Sequence, residues 1–164
     1  MLINTEIQAL AQWVGDLLAQ RNAKLALAES CTGGAVAAAI TAIAGSSSWF
    51  ELGLVTYSNG FKSRLLNVSE ETIADHGVVS EPVVAQMLMG ACELAGAEFG
   101  IAVSGIAGPG GGTPQKPVGT VCFAWGSPSQ AALSTQHFSG DRDSIRKQSV
   151  LFVLEQLGKH IASI

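Results

Sequence analysis

The chain has 164 residues, a formal net charge of −4, and only 13% charged side chains against 48% hydrophobic ones. This length suits one domain, spanning 1–164, with a full core, and the hydrophobic share argues against disorder. An acidic balance with no basic run excludes an ordinary nucleic-acid binder, and no apolar run reaches membrane length.

The N-terminus has no basic stretch followed by an apolar one, so a soluble, cytoplasmic protein is expected. The low charge suggests that some surface is covered, and a homodimer is the natural form. Cys31, Cys92 and Cys122 include no CxxC pair, which argues against a disulfide framework or a thiolate zinc site. His76, His137 and His160 complete no HExxH, nor an HxE with PCxxC, so metal hydrolases and zinc deaminases of the usual kinds are excluded and no metal or cofactor is expected.

Residues 5–21 carry apolar side chains at helical spacing, and Thr5 with Gln8 reads as a capping box. Lys24 to Glu29 reads as a short strand. Thr32, Gly33 and Gly34 then open an Ala-rich helix that Gly45 ends. Aromatic and β-branched residues from Trp49 to Tyr57 predict a second strand. Short helices are expected over 59–66 and 69–74, the latter capped by Ser69. Ser80 is expected to cap a longer helix to about Ala95, with Pro82 in its first turn. Phe99 to Val103 is a buried strand that runs into a Gly/Pro loop at 105–117, long enough to suggest binding. Strands over 118–125 and 131–138 and a closing helix over 141–160 follow. This order predicts an α/β sandwich with a mixed sheet, parallel early and antiparallel late.

Four constellations could carry chemistry. Glu29-Ser30-Cys31-Thr32-Gly33-Gly34 sits at a strand-to-helix junction, where backbone N–H groups can receive an anion or a carbonyl oxygen. Ser30 or Thr32 could equally be a simple cap, and Cys31 a buried inert thiol. Ser46, Ser47 and Ser48 precede Tyr57 and Lys62. A serine hydroxyl needs a base, a desolvated lysine can supply one, and a tyrosine can relay a proton. The plain alternative is a serine turn, a core tyrosine and a solvated lysine. Ser104, Gly105, Ile106, Ala107 and Gly108 lead into a glycine-rich loop that can turn backbone donors toward phosphate, or can merely form a hairpin tip. Arg142 and Arg146 share one helix face, suited to phosphate or to ordinary ion pairing with Asp141 and Asp143.

Taken together, the blocks AESCTGG, AGSSSWFELGLVTYSN with its lysine, VSEPVV, SGIAGPGGG, KPVGTV and FSGDRDSIR resemble the CinA C-terminal domain family. The match runs in order from about Ala28 to Arg146. Stand-alone members of that family are nicotinamide-nucleotide amidases of the PncC type, and the absence of a larger N-terminal domain suggests the stand-alone form. The resemblance implies a three-layer α/β/α sandwich that dimerises and hydrolyses the carboxamide of nicotinamide mononucleotide by a metal-free serine/lysine mechanism, in pyridine nucleotide (NAD) salvage. It implies a small-molecule pyridine nucleotide substrate, Ser47 as nucleophile, Lys62 as base and Tyr57 as relay. Ser30, Thr32, Gly33 and Ser46 would line the substrate cleft with Ser104, Gly105, Ile106, Ala107 and Gly108, and Arg142 would meet the phosphate. From the residues themselves the nucleophile stays open among Ser30, Ser46, Ser47 and Ser48. A rival of another class is a non-catalytic nucleotide-binding or competence/damage-associated accessory module.

Overall fold

The computed structural model describes residues 3–164. In chain order the elements are α1 (Thr5–Gln20), β1 (Leu25–Glu29), α2 (Ala35–Thr41), β2 (Phe50–Val55), α3 (Asn59–Leu66), α4 (Glu70–His76), α5 (Glu81–Ala95), β3 (Phe99–Gly105), β4 (Thr120–Gly126), β5 (Ala132–His137) and α6 (Arg142–Ala162). The five strands form one sheet in the order β2-β1-β3-β4-β5. β1 is parallel to both β2 and β3, while β3–β4 and β4–β5 are antiparallel. The expected mixed sheet is present.

The central strands are buried on both faces, and their alternation sorts side chains by size. Leu25, Leu27, Ile101, Val103, Val121, Phe123 and Trp125 face one core, shared with Val14 of α1, Val36 of α2 and Leu154 of α6. Ala26, Ala28, Ala102, Cys122 and Ala124 face the other, shared with Leu66 of α3 and Val84 and Met87 of α5. Successive strand residues point to opposite faces, so this period-two pattern gives a bulky face and a small face. The small face lets α5 lie close to the sheet. The result is the three-layer α/β/α sandwich.

Gly90 extends this close approach outward. A Cβ built there would lie 2.0 Å from the Leu66 backbone oxygen, so only glycine lets α5 meet the end of α3. That contact sets the position of Lys62, one turn earlier in α3.

Several local expectations shift. Asn4, not Thr5, caps α1: its side chain accepts from the Ile7 N–H. An Asx side chain one residue upstream competes well for that role. Ser69 does cap α4. Ser80 precedes α5 but donates its hydroxyl to the Gly77 carbonyl and makes no side-chain cap. α2 ends at Thr41, and Gly45 (φ +83°) instead opens a 3-10 turn over Ser46–Ser48.

Candidate active site

Three segments meet where β1, β2 and β3 end. Ser30 follows β1, Thr56 and Tyr57 follow β2, and Ser104 and Gly105 close β3. The crevice beyond the carboxyl ends of parallel strands is the usual place for a site in an open α/β sheet. Here it is a cavity of about 290 Å³, whose walls include Ser30, Lys62, Ser104, Ile106, Gly108 and Arg142.

Lys62 is the decisive side chain. It is fully buried, 1% exposed. Its Nζ lies 3.1 Å from Ser30 Oγ, 2.7 Å from the Thr56 carbonyl oxygen and 3.2 Å from that of Tyr57. No carboxylate is among its partners; among the described residues the one side-chain ion pair is Lys159–Glu155. Burial lowers the Lys62 pKa from 10.5 to about 8, because the interior disfavours the ammonium. A neutral amine has two N–H groups and one lone pair. Two carbonyls take the N–H groups, and the lone pair is left for the Ser30 hydroxyl.

The turn that carries Ser30 is held from both sides. The Glu29 carboxylate accepts from the backbone N–H groups of Gly34, Val36 and Ala37. Arg146 donates to the carbonyls of Cys31 and Thr32, at 3.2 and 3.0 Å. Cys31 lines the cavity, but burial pushes its thiol up to about 12, so it stays protonated.

The expected grouping therefore holds in part. Ser30, Lys62, Ser104, Gly105, Ile106, Ala107, Gly108 and Arg142 do come together around the cavity. Ser47 does not. It sits in the 3-10 turn that precedes β2, whereas Lys62 reaches the residues that follow β2. Six strand residues, about 16 Å or more at ~3.3 Å per residue, separate the two levels. Ser46 is at that same far end, where its N–H bonds to Ile43, and neither serine lines the cavity. Ser48 there donates to the Gly45 carbonyl. The serine beside the lysine is Ser30, brought in by the parallel β1–β2 pairing.

Tyr57 meets Lys62 through its backbone oxygen. Its phenol oxygen instead lies 3.4 Å from Arg142 Nη2, at the exposed mouth. It is not placed to relay a proton between Ser30 and Lys62, since those two atoms already touch. Thr32 is fully buried with its hydroxyl unpaired, and Gly33 (φ +58°) packs against Arg146; both shape the turn and do not line the cavity. Arg142 Nη1 donates to the Gly108 carbonyl at 2.7 Å, tying α6 to the glycine-rich loop. That loop is pinned elsewhere too: Lys116 Nζ donates to the His76 carbonyl. Asn59 and Val78 also line the cavity; nothing in their local sequence marks them. No group of three or more His, Cys, Asp or Glu among the described residues is arranged to hold a metal ion.

Residues 7–161 match the family model of the CinA C-terminal domain. The chain is 49% identical to the nicotinamide-nucleotide amidohydrolase PncC of Escherichia coli K12, over 95% of each chain. It is 50% identical to the protein of that name from Pseudomonas putida, over 92% of this chain and 94% of the relative. Among solved structures, a competence-damaged protein (CinA) superfamily protein from Klebsiella pneumoniae superposes with a TM-score of 0.92 at 40% identity, covering 96% of this chain and 99% of the other. The chain belongs to the CinA C-terminal domain family.

Proposed function

We propose that this chain is a nicotinamide-nucleotide amidohydrolase, one amidase domain in which Ser30 is the nucleophile and Lys62 the general base. The observation that carries the assignment is the buried Lys62 Nζ, 3.1 Å from Ser30 Oγ and free of any carboxylate. Relatives of nearly full length bear the amidohydrolase name, which supports the reaction class.

The steps follow from that geometry. Neutral Lys62 takes the proton of the Ser30 hydroxyl as Oγ bonds to the carboxamide carbon, and the carbonyl π pair moves onto oxygen. Collapse breaks the C–N bond, and the Lys62 ammonium gives its proton to the leaving nitrogen, which departs as ammonia. Water then attacks the Ser30 ester, with Lys62 again taking a proton. The Oγ–C bond breaks, the proton returns to Ser30, and nicotinate mononucleotide leaves. The cationic pyridinium withdraws electrons from the amide and disfavours a second cation beside it. Both effects favour a lysine base.

Arg142 at the cavity mouth supplies the phosphate contact, with the backbone of the 105–108 segment around it. A cavity near the low end of the ligand-site range suits a mononucleotide. The homodimer belongs to this proposal. Phe61 and Leu65, four apart on α3, and Val55 at the end of edge strand β2 are exposed, and a second copy would cover them. A cytoplasmic site of action and a role in pyridine nucleotide salvage complete it; among the described residues no helix is long and apolar enough to cross a membrane.

The test is ammonia release from nicotinamide mononucleotide by purified protein. Ser30→Ala should abolish turnover and keep measurable nucleotide binding, while Ser47→Ala should keep turnover within about twofold. Wild-type binding without ammonia would favour a sensor instead. Full activity in Ser30→Ala would remove Ser30 as nucleophile.

A further inference from the structure

We propose that Arg146 is a positioning residue for catalysis, aiming the backbone N–H of Thr32, which together with that of Cys31 forms the oxyanion hole for attack by Ser30. The inference rests on the amidase reading above and adds what that reading lacks, a place for the negative charge of the tetrahedral intermediate.

The hydrogen bonds of the turn single out these two donors. The Ser30 N–H donates to the Val103 carbonyl, the Gly33 N–H to the Ser30 carbonyl, and the Gly34 N–H to Glu29. Among the described residues, no oxygen accepts from the Cys31 or the Thr32 N–H, and the Cys31 N–H meets only its own sulfur. Buried backbone donors are rarely left unpaired, and these two are adjacent to the attacking hydroxyl. Donors next to the nucleophile are what acyl-transfer sites use for a developing oxyanion.

Arg146 acts on the far side of one of these peptides, the Cys31–Thr32 unit. Its Nε and Nη2 donate to the Cys31 and Thr32 carbonyls. The Thr32 carbonyl shares its peptide with the Gly33 N–H, while the Cys31 N–H shares its own with the Ser30 carbonyl, which accepts from Gly33. In a trans peptide the C=O and the N–H point in opposite directions. The carbonyl of Cys31 shares its peptide with the N–H of Thr32, so a guanidinium holding the first turns the second away from α6. A positive charge at the carbonyl end also draws electron density through the amide and strengthens the N–H as a donor. Among the described residues the guanidinium has no carboxylate partner to divert it. It also sits one turn beyond Arg142 on α6, so a single helix would serve both the cavity mouth and the turn beneath it.

The test compares wild type, Arg146→Ala and Arg146→Lys with nicotinamide mononucleotide. Arg146→Ala should lose about tenfold to a hundredfold in kcat, with KM within about twofold, since only the transition state carries the oxyanion. Arg146→Lys should recover only part of the loss, because an ammonium is a point charge and the guanidinium is a two-pronged donor. Millimolar guanidinium chloride should restore part of kcat in Arg146→Ala and none in wild type, a response that a merely structural arginine would not give. The pyridine-3-aldehyde analogue of the substrate, which forms a tetrahedral adduct with Ser30, should lose affinity in step with kcat, while nicotinate mononucleotide should bind as before. If Arg146→Ala fails to fold, Arg146→Lys decides alone. Full kcat in Arg146→Lys or Arg146→Ala beside an active wild type overturns the role of Arg146. So does a kcat loss matched by equal weakening of both ligands. A wild type that releases no ammonia overturns the amidase reading, and this inference with it.

Discussion

Lys62→Met turns the buried amine into a measurable stability difference. Burial takes the Lys62 pKa from 10.5 to about 8. At about 1.4 kcal/mol per tenfold, that is roughly 3 kcal/mol of cost for a charged lysine in the folded protein. The amine lies at the floor of an open cavity, so solvent screening reduces the figure to about 2 kcal/mol. Its sign follows from proton counting. Below about pH 8 both states hold the proton, and the folded state bears the full cost. Between about 8 and 10.5 the unfolded chain holds a proton that the folded chain has released, so wild-type stability rises with pH across this window. The neighbouring Cys31 sulfur opposes this lowering of the Lys62 pKa, but with its thiol pushed up to about 12 burial remains the larger effect on Lys62. Methionine escapes the cost and fills similar space, but it leaves the Thr56 and Tyr57 carbonyls without a donor, a loss of about 1 kcal/mol. Lys62→Met should therefore be more stable than wild type by about 1 kcal/mol at pH 7, a rise of about 2–4 °C in Tm for a chain of this size. Near pH 10.5 the order should reverse. Thermal unfolding of both proteins from pH 7 to 10.5, followed by circular dichroism, reads the crossing directly. A stability difference that stays constant over that range would refute a neutral buried lysine, and the base assignment with it.

Three further outcomes are expected. kcat/KM for ammonia release should rise about tenfold per pH unit up to about 8 and level off above it, as Lys62 loses its proton; a profile flat from pH 6 to 9 would remove Lys62 as base. Arg142→Ala should raise KM about tenfold with kcat nearly unchanged, and an unaltered KM would take Arg142 away from the phosphate. Gly90→Ala places a methyl 2.0 Å from the Leu66 carbonyl, so α5 and α3 must separate. A loss of about 1–3 kcal/mol in chemical denaturation is expected, together with lower kcat as Lys62 shifts from Ser30.

The sequence revealed the elements better than their junctions. Helical spacing located α1 and α6, and the Val-, Phe- and Trp-rich runs located β3 and β4, because those signals are repeated over many residues. Caps depend on single side chains, and Asn4 displaced Thr5 for that reason. Ser47 stays away from the cavity for a topological reason. Ser47 and Lys62 are near in sequence, but the whole of β2 runs between them and carries them to opposite ends of the sheet. Ser30 is further along the chain from Lys62, yet the parallel pairing of β1 with β2 puts Glu29 beside Val55, and so Ser30 at the level of Thr56. The rule that sites gather at the carboxyl ends of parallel strands would have favoured Ser30, which follows a strand, over Ser47, which precedes one. The carbonyl ligands of Lys62 had no such signal, since any residue type can present a backbone oxygen.

The two buried charged residues of the site differ in how they are satisfied, and that difference suits the lysine to the role of base proposed for it. Glu29 is as buried as Lys62 and is adjacent in sequence to Ser30. Had its carboxylate reached the amine, the ion pair would have held Lys62 protonated and useless for accepting a proton at neutral pH. Instead both carboxylate oxygens are occupied by three backbone N–H groups at the start of α2. Those bonds satisfy the anion locally and brace the turn that presents Ser30. Among the described residues the hydrogen-bond partners of Lys62 Nζ are carbonyl and hydroxyl oxygens, which bind a neutral amine without requiring its charge. Keeping the carboxylate on the backbone and away from the lysine thus leaves a braced Ser30 and a lysine with its pKa lowered to about 8, as the proposed nucleophile and base require.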